Sequence, residues 1–273
     1  MKIAITGSQG MIGSCLHKHL LSQNHEVIGL CRDVLDIADA KAVDDFFHLN
    51  HPDVIIHGAL YGRESVRDNQ IDMYQVNMQM FQNLYRNRHR FHKLINLGSG
   101  TEYDTSRDID LVTEDQIYLV EPENYYDRVK NHISRICCDT ENFCTLRMFG
   151  VMSHTESDKR FFRHLLESDR FFIKYDRFFD FVNLQDLMPV IDAVLTGQIT
   201  DPHVNVVYKN KLKLSELAKM FCDITKTSYD KVVIQNASGL NYTGDSSVLD
   251  SYQIPQIGIE ASMSQYISTW EIV

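Results

Sequence analysis

The stretch that most restricts what this chain can fold into lies at its start. Residues 2–5 form a short apolar run that passes directly into Thr6-Gly7-Ser8-Gln9-Gly10-Met11-Ile12-Gly13, after which Ile12, Leu16, His19 and Leu20 recur at helical spacing. The order is strand, glycine-rich turn, helix N-terminus. Glycines at such a turn permit a tight reversal, close approach of backbone to a pyrophosphate and close packing of helix on sheet, while the helix amides receive negative charge. A dinucleotide site built on Gly7, Gly10, Met11, Ile12 and Gly13 is the expectation.

The next segments extend the same pattern. An apolar strand over residues 26–31 ends in Arg32-Asp33. An acidic side chain at this strand end suits a ribose 2′-hydroxyl and an arginine suits a 2′-phosphate, so Arg32 points to NADP(H), with NAD(H) the lesser choice. Asp36 is placed either to touch the adenine edge or to cap the helix expected over residues 39–49. A buried strand follows at Val54-Ile55-Ile56, and the small residues Gly58 and Ala59 at its end would let a cofactor lie against the backbone. A long amphipathic helix over residues 71–88 contains Asn77, which could anchor nearby backbone.

A further strand over residues 93–97 ends in Gly98-Ser99-Gly100-Thr101-Glu102-Tyr103. Ligands bind beyond the carboxyl ends of strands in open α/β sheets, which puts Ser99 on the correct edge. The helix after it carries Tyr126 and Lys130, four residues apart and therefore on one face. A free tyrosine ionises near pH ~10, and a cation beneath the ring favours the phenolate, which suits proton transfer. The apolar segment at residues 143–147 completes the alternation. It predicts an α/β fold, a doubly wound parallel (Rossmann) sheet over residues 1–150, with a small C-terminal α/β substrate lobe over residues 151–273 that partly completes the sheet. Helical pattern returns there at residues 187–195 and 214–224, with Ser215 as a plausible cap.

Composition removes several function classes. A net charge of −10 without a lysine and arginine block argues against nucleic acid. Apolar runs such as Val54-Ile55-Ile56 are too short to span a bilayer, and residues 1–5 read as a strand start rather than a leader, so a cytoplasmic protein without a membrane partner is expected. The six cysteines have no zinc-ligand spacing, so no metal is expected and they read as small buried hydrophobes. Arg86, Arg88, Arg90 and Lys93 read as a solvated helix end.

The ordered set Thr6 to Gly13, Asp36, Ser99, Tyr126 and Lys130 resembles the extended short-chain dehydrogenase/reductase family, in particular its NAD(P)-dependent nucleotide-sugar epimerases, dehydratases and reductases. Asn77 matches that family's helix asparagine, and Leu146-Arg147-Met148-Phe149-Gly150 looks like its strand-to-loop motif. The segment from Phe179 to Asp186 is similar to its later R-D-F-x-x-V-x-D run, with Phe179 where the family has arginine and Arg177 nearby. Residues 30–47 are most similar to the GDP-fucose synthase and dTDP-4-dehydrorhamnose reductase subgroups. The paired acids of the dehydratases are missing around Thr101-Glu102, and Thr101 stands where the epimerising subgroup has cysteine, with His154 a histidine candidate by proximity alone.

The resemblance implies an NADPH-dependent reduction of a 4-keto nucleotide sugar. Tyr126 would give the proton, Lys130 would lower its pKa and hold the nicotinamide ribose, and Ser99 would orient the carbonyl. Thr101, Arg147, Arg160, Arg163 and Arg177 are the candidates to meet the substrate, the arginines through its diphosphate. Two alternatives stay open: a 4-epimerase with tightly held NAD, and a non-catalytic dinucleotide-binding regulatory subunit. A homodimer is expected, with Ile133 and Ile136 serving either its interface or the core.

Overall fold

The computed structural model describes residues 1–62 and 70–268. The chain runs β1 (Lys2–Thr6), α1 (Met11–Ser22), β2 (Glu26–Leu30), α2 (Ala40–Asn50), β3 (Val54–His57), α3 (Gln70–Arg86) and β4 (Lys93–Ser99). It continues with β5 (Ile109–Val112), α4 (Tyr125–Cys138), β6 (Phe143–Met148), β7 (Gly150–Met152), α5 (Phe161–Glu167), β8 (Phe171–Ile173) and β9 (Phe181–Asn183). The remainder is α6 (Leu184–Leu195), β10 (His203–Val206), α7 (Leu214–Thr225), β11 (Val232–Ile234), β12 (Tyr242–Gly244), α8 (Ser247–Ser251) and α9 (Ile259–Ser268).

Six strands form one sheet in the order β10-β6-β4-β3-β1-β2. β1 pairs in parallel with β2 and β3, and β3 with β4. Every residue of β3 is buried, as a strand covered on both faces requires, which is why its sequence is a continuous apolar run instead of an alternation. The sixth strand, β10, comes from residues 151–273, and its place there is not marked in the sequence, because Val204 and Val206 are too short a run to stand out from their surroundings.

Two compact units emerge. The first gathers residues 1–106, 114–147 and 201–204; the second gathers 107–113, 148–200 and 205–273. In the first, Ala4, Ile55 and Leu94 from the strands pack with Phe47, Phe81, Leu84 and Val129 from the helices. Phe91 stacks between Phe47 and Phe143, with ring centroids 5.5 and 5.9 Å away. Ile133 belongs to this core at 3% exposure, and Ile136 packs partly buried against it.

The second unit is built differently. Its strands form three two-stranded parallel pairs, β8 with β11, β5 with β12, and β7 with β9. Phe162 anchors its core, with Phe181 and Phe221 at 4.8 and 5.3 Å. The start of α7 corrects the expectation for Ser215: Lys213 is the N-cap position, and the Ser215 backbone N–H and hydroxyl both donate to Asp176, at 3.0 and 2.8 Å. Of the cysteines, Cys137, Cys144 and Cys222 are buried, while Cys15, Cys31 and Cys138 are only partly so. No helix among the described residues is long and apolar enough to cross a membrane.

Candidate active site

The glycine turn is held open by backbone geometry. Gly7 has φ +72°, and a Cβ there would lie 2.8 Å from the Ala59 nitrogen, so only glycine allows this approach of turn to strand end. A Cβ on Gly13 would fall 2.2 Å from the Gly7 carbonyl oxygen, so α1 too can sit on the turn only because a side chain is missing. Gly10 is the N-cap of α1 and offers no side-chain acceptor, which leaves the first-turn amides of Met11 and Ile12 for an anion. Thr6 closes the floor: its Oγ1 accepts from the Gly58 and Ala59 N–H groups, each at 3.2 Å, and pairs with His57 Nδ1 at 2.9 Å.

Beyond the turn is a cavity of about 410 Å³ whose lining includes Gly10, Arg32, Asp36, Ala59 and Tyr61. A dinucleotide fits these residues, because Gly7 and Gly10 present backbone without side chains to the same cavity that Arg32, Asp36 and Ala59 line. Arg32 is 75% exposed on its side chain, with Nε 3.9 Å from an Asp36 carboxylate oxygen. The other Asp36 oxygen accepts from the Ala38 N–H at 3.0 Å. Asp39 caps α2 through the Lys41 and Ala42 amides. Asn77 clasps the segment leaving β3: its Oδ1 accepts from the Tyr61 N–H at 2.9 Å, and its Nδ2 donates to the Tyr61 carbonyl at 3.0 Å.

The helix carrying Tyr126 starts where its sequence says it should. Asn124 is the N-cap, its Oδ1 accepting from the Asp127 N–H at 2.8 Å, and Asp127 supplies first-turn negative charge. Asp127 is itself occupied by the Thr105 hydroxyl at 2.6 Å. Lys130, one turn beyond Tyr126, donates from Nζ to the Leu97 carbonyl at 2.9 Å, two residues before Ser99. His57, on the strand next to β4, is wholly desolvated, and its pKa is pushed down to about 3, first by burial and then by the Lys130 charge. It is a neutral imidazole at any working pH.

Ser99 ends β4 and caps the following turn: its hydroxyl oxygen accepts from the Thr101 N–H at 3.3 Å, and its own N–H donates to Glu102 Oε1 at 2.8 Å. Glu102 in turn pairs with Arg147 Nε at 2.5 Å, both side chains fully buried. This corrects the role expected of Arg147. A guanidinium with no exposed surface, bound to Glu102 and to the Tyr103 hydroxyl at 3.3 Å, braces the Ser99 turn and is not available to a diphosphate.

The other substrate candidates lie in the second unit and are engaged there. Arg160 reaches Glu156 at 3.3 Å and the Val151 carbonyl at 2.8 Å; Arg163 pairs with Glu167. Arg177 donates to the Leu240 carbonyl at 3.1 Å and lies over the Phe179 ring at 5.2 Å. Burial lowers its pKa. His154 lines a separate cavity of about 220 Å³ with Ser153 and Asn183. The residues that sequence reasoning missed are Thr6, His57 and Glu102. Glu102 had been noticed only as the lack of a paired acid, and its partner 45 positions away left no local signal.

The model of the NAD dependent epimerase/dehydratase family matches residues 3–206. Over 128 residues, 45% of this chain, the sequence is 34% identical to the GDP-L-colitose synthase of Yersinia pseudotuberculosis, and the match spans 41% of that enzyme's length. GDP-mannoheptose C4 reductase of Campylobacter jejuni, solved with NADP bound, has a similar fold at TM-score 0.84 and 18% identity, covering 99% of this chain and 98% of that one. UDP-glucose 4-epimerase of Thermotoga maritima, solved with UDP-glucose, gives TM-score 0.83 and 18% identity over 100% and 99% of the two chains. At such identities the structural likeness speaks for the fold. The family match covers most of the chain and includes the turn, Ser99, Tyr126 and Lys130, and the chain therefore belongs to the NAD dependent epimerase/dehydratase family.

Proposed function

We propose that this protein reduces a 4-keto nucleotide sugar using NADPH, with Tyr126 as the proton donor. The observation that carries the reading is the bond from Lys130 Nζ to the Leu97 carbonyl, which ties the helix bearing Tyr126 to the strand end bearing Ser99. When bound, the reduced nicotinamide supplies the hydride for the carbonyl carbon. Tyr126 transfers its phenolic proton to the carbonyl oxygen, so that the ketone becomes a secondary alcohol. The Lys130 ammonium favours the phenolate left behind, and the Ser99 hydroxyl donates to the same oxygen as charge develops on it. His57, being neutral, adds no second cation beside Lys130.

Arg32 at the cavity supports NADPH over NADH, because a guanidinium there suits a 2′-phosphate. The names of the colitose synthase and of the mannoheptose C4 reductase are in line with a keto-sugar substrate. The test is to incubate the protein with NADPH or NADH and each of the GDP-, dTDP-, UDP- and CDP-4-keto-6-deoxy sugars, following loss of reduced cofactor. One sugar nucleotide should consume NADPH faster than NADH. Stoichiometric NAD carried through purification, with no external consumption, would instead make the protein an epimerase. Binding of NADPH without turnover on any sugar would make it a non-catalytic subunit.

A further inference from the structure

The hydrogen bonds around Ser99 do more than cap a turn. A serine hydroxyl oxygen has two lone pairs and one hydrogen. Both lone pairs are taken within the turn: the Thr101 N–H donates to Ser99 Oγ at 3.3 Å, and the Thr101 hydroxyl donates to it at 3.1 Å. Among the described residues Ser99 Oγ donates no hydrogen bond. The nearest carboxylate, Glu102, is occupied by the Ser99 backbone N–H and by Arg147. Ser99 is half-buried at the carboxyl end of β4, so its hydrogen is left for something outside the turn.

We propose that Thr101 is a positioning residue that makes Ser99 a one-way hydrogen-bond donor, so that the serine hydrogen is aimed at the substrate oxygen on which charge develops. The inference rests on the reductase reading and sharpens it. A carbonyl oxygen carries two lone pairs and no hydrogen, and it is satisfied by the two donors Ser99 and Tyr126. After the proton transfer the alcohol donates to the Tyr126 phenolate and still accepts from Ser99, so the serine hydrogen stays on the substrate oxygen throughout the step.

The experiment compares wild type with Thr101→Val and Thr101→Ser. Valine keeps the size and the backbone N–H cap and removes only the hydroxyl donor. Ketone reduction by Thr101→Val should show kcat lower by about tenfold, the loss of one oriented hydrogen bond in the transition state. NADPH affinity and melting temperature should stay at wild-type values, and Thr101→Ser should restore the rate. An unchanged kcat in Thr101→Val, or a loss that serine does not rescue, overturns the proposal. Neutron diffraction from deuterated crystals gives a second reading that needs no substrate. The Ser99 deuteron should point away from both Thr101 and Glu102, and density placing it on either of them ends the idea. If wild type turns over no keto sugar at all, the reductase reading fails while the deuteron position still decides the inference.

Discussion

The two compact units handle buried charge in opposite ways. In the first, buried polar chains terminate on groups that face the site: Arg147 holds Glu102, which holds the Ser99 amide, and Thr6 ties His57 to the glycine turn. In the second, they terminate on one another. Arg160 meets Glu156, which also accepts from the Tyr266 hydroxyl at 3.0 Å, and Lys211 meets Asp180 at 2.8 Å, which also accepts from the Gly244 N–H. A buried ion pair is costly to form and more costly to break by halves, so it persists where it fixes a geometry. The first unit uses that rigidity to aim side chains; the second uses it to join segments far apart in sequence.

The largest effect that could break this contrast is on turnover. Tyr126→Phe should lower kcat by roughly 10²–10⁴-fold while leaving NADPH binding intact, as removal of a general acid does. Near-wild-type turnover would take the site out of the first unit's control. Next in size is stability. Glu102→Ala leaves Arg147 charged and fully buried and should cost about 3–5 kcal/mol in urea unfolding. Lys211→Met should cost less, about 1–3 kcal/mol, because Asp180, already pushed up to about 6 by burial, can take a proton and become neutral. Equal losses in the two variants would erase the distinction.

Acidity sharpens the comparison, because the two units carry opposite linkages. The folded pKa of His57, about 3, lies below its unfolded value of 6.5, so its contribution is whole above pH 6.5 and drains away as pH falls toward 3. Asp180 is raised from 3.8 to about 6, so its contribution is whole below pH 3.8 and is lost as pH rises through 6. Between pH 4 and 6 each changes stability by up to about 1.4 kcal/mol per pH unit, in opposite senses. Relative to wild type, His57→Gln should become less stable as pH rises across that window, and Asp180→Asn should become more stable. Parallel slopes in chemical unfolding would refute the assignment. The smallest effect concerns the cofactor: Arg32→Ala should raise the NADPH Kd about tenfold and leave the NADH Kd nearly unchanged in a fluorescence titration.

What could be read from the sequence follows the same division. Gly7 to Gly13 and the Tyr126–Lys130 spacing are local patterns, and each element formed where its residues indicated, whereas the cap of α2 is Asp39 and not Asp36. Asn77, expected to anchor nearby backbone, does so at Tyr61. What escaped notice was set by distant partners. Thr243 Oγ1 accepts from the Leu111 N–H at 2.8 Å, 132 positions away, and no periodicity around residues 109–112 announces that pairing. Arg147 was misread for a related reason: an arginine inside an apolar strand looks like a ligand contact until its carboxylate is found in another turn. Charge and order in a sequence do not reveal whether a cation is already engaged.

The path of the chain between the units limits how the protein can be dissected. Residues 201–204 return to the first unit after the second has begun, and residues 107–113 belong to the second before the first is complete. A stop codon at 150 would leave β6 without β10, one of its two neighbours, and an open sheet edge in the fragment. The complementary fragment would start without Ile109, the register partner of Tyr242. Neither half is expected to purify as a well-behaved soluble domain. Truncation libraries, split reporters and limited-proteolysis fragments should therefore fail at that boundary, and a permuted chain that keeps both return segments is the better route to a minimal cofactor-binding module.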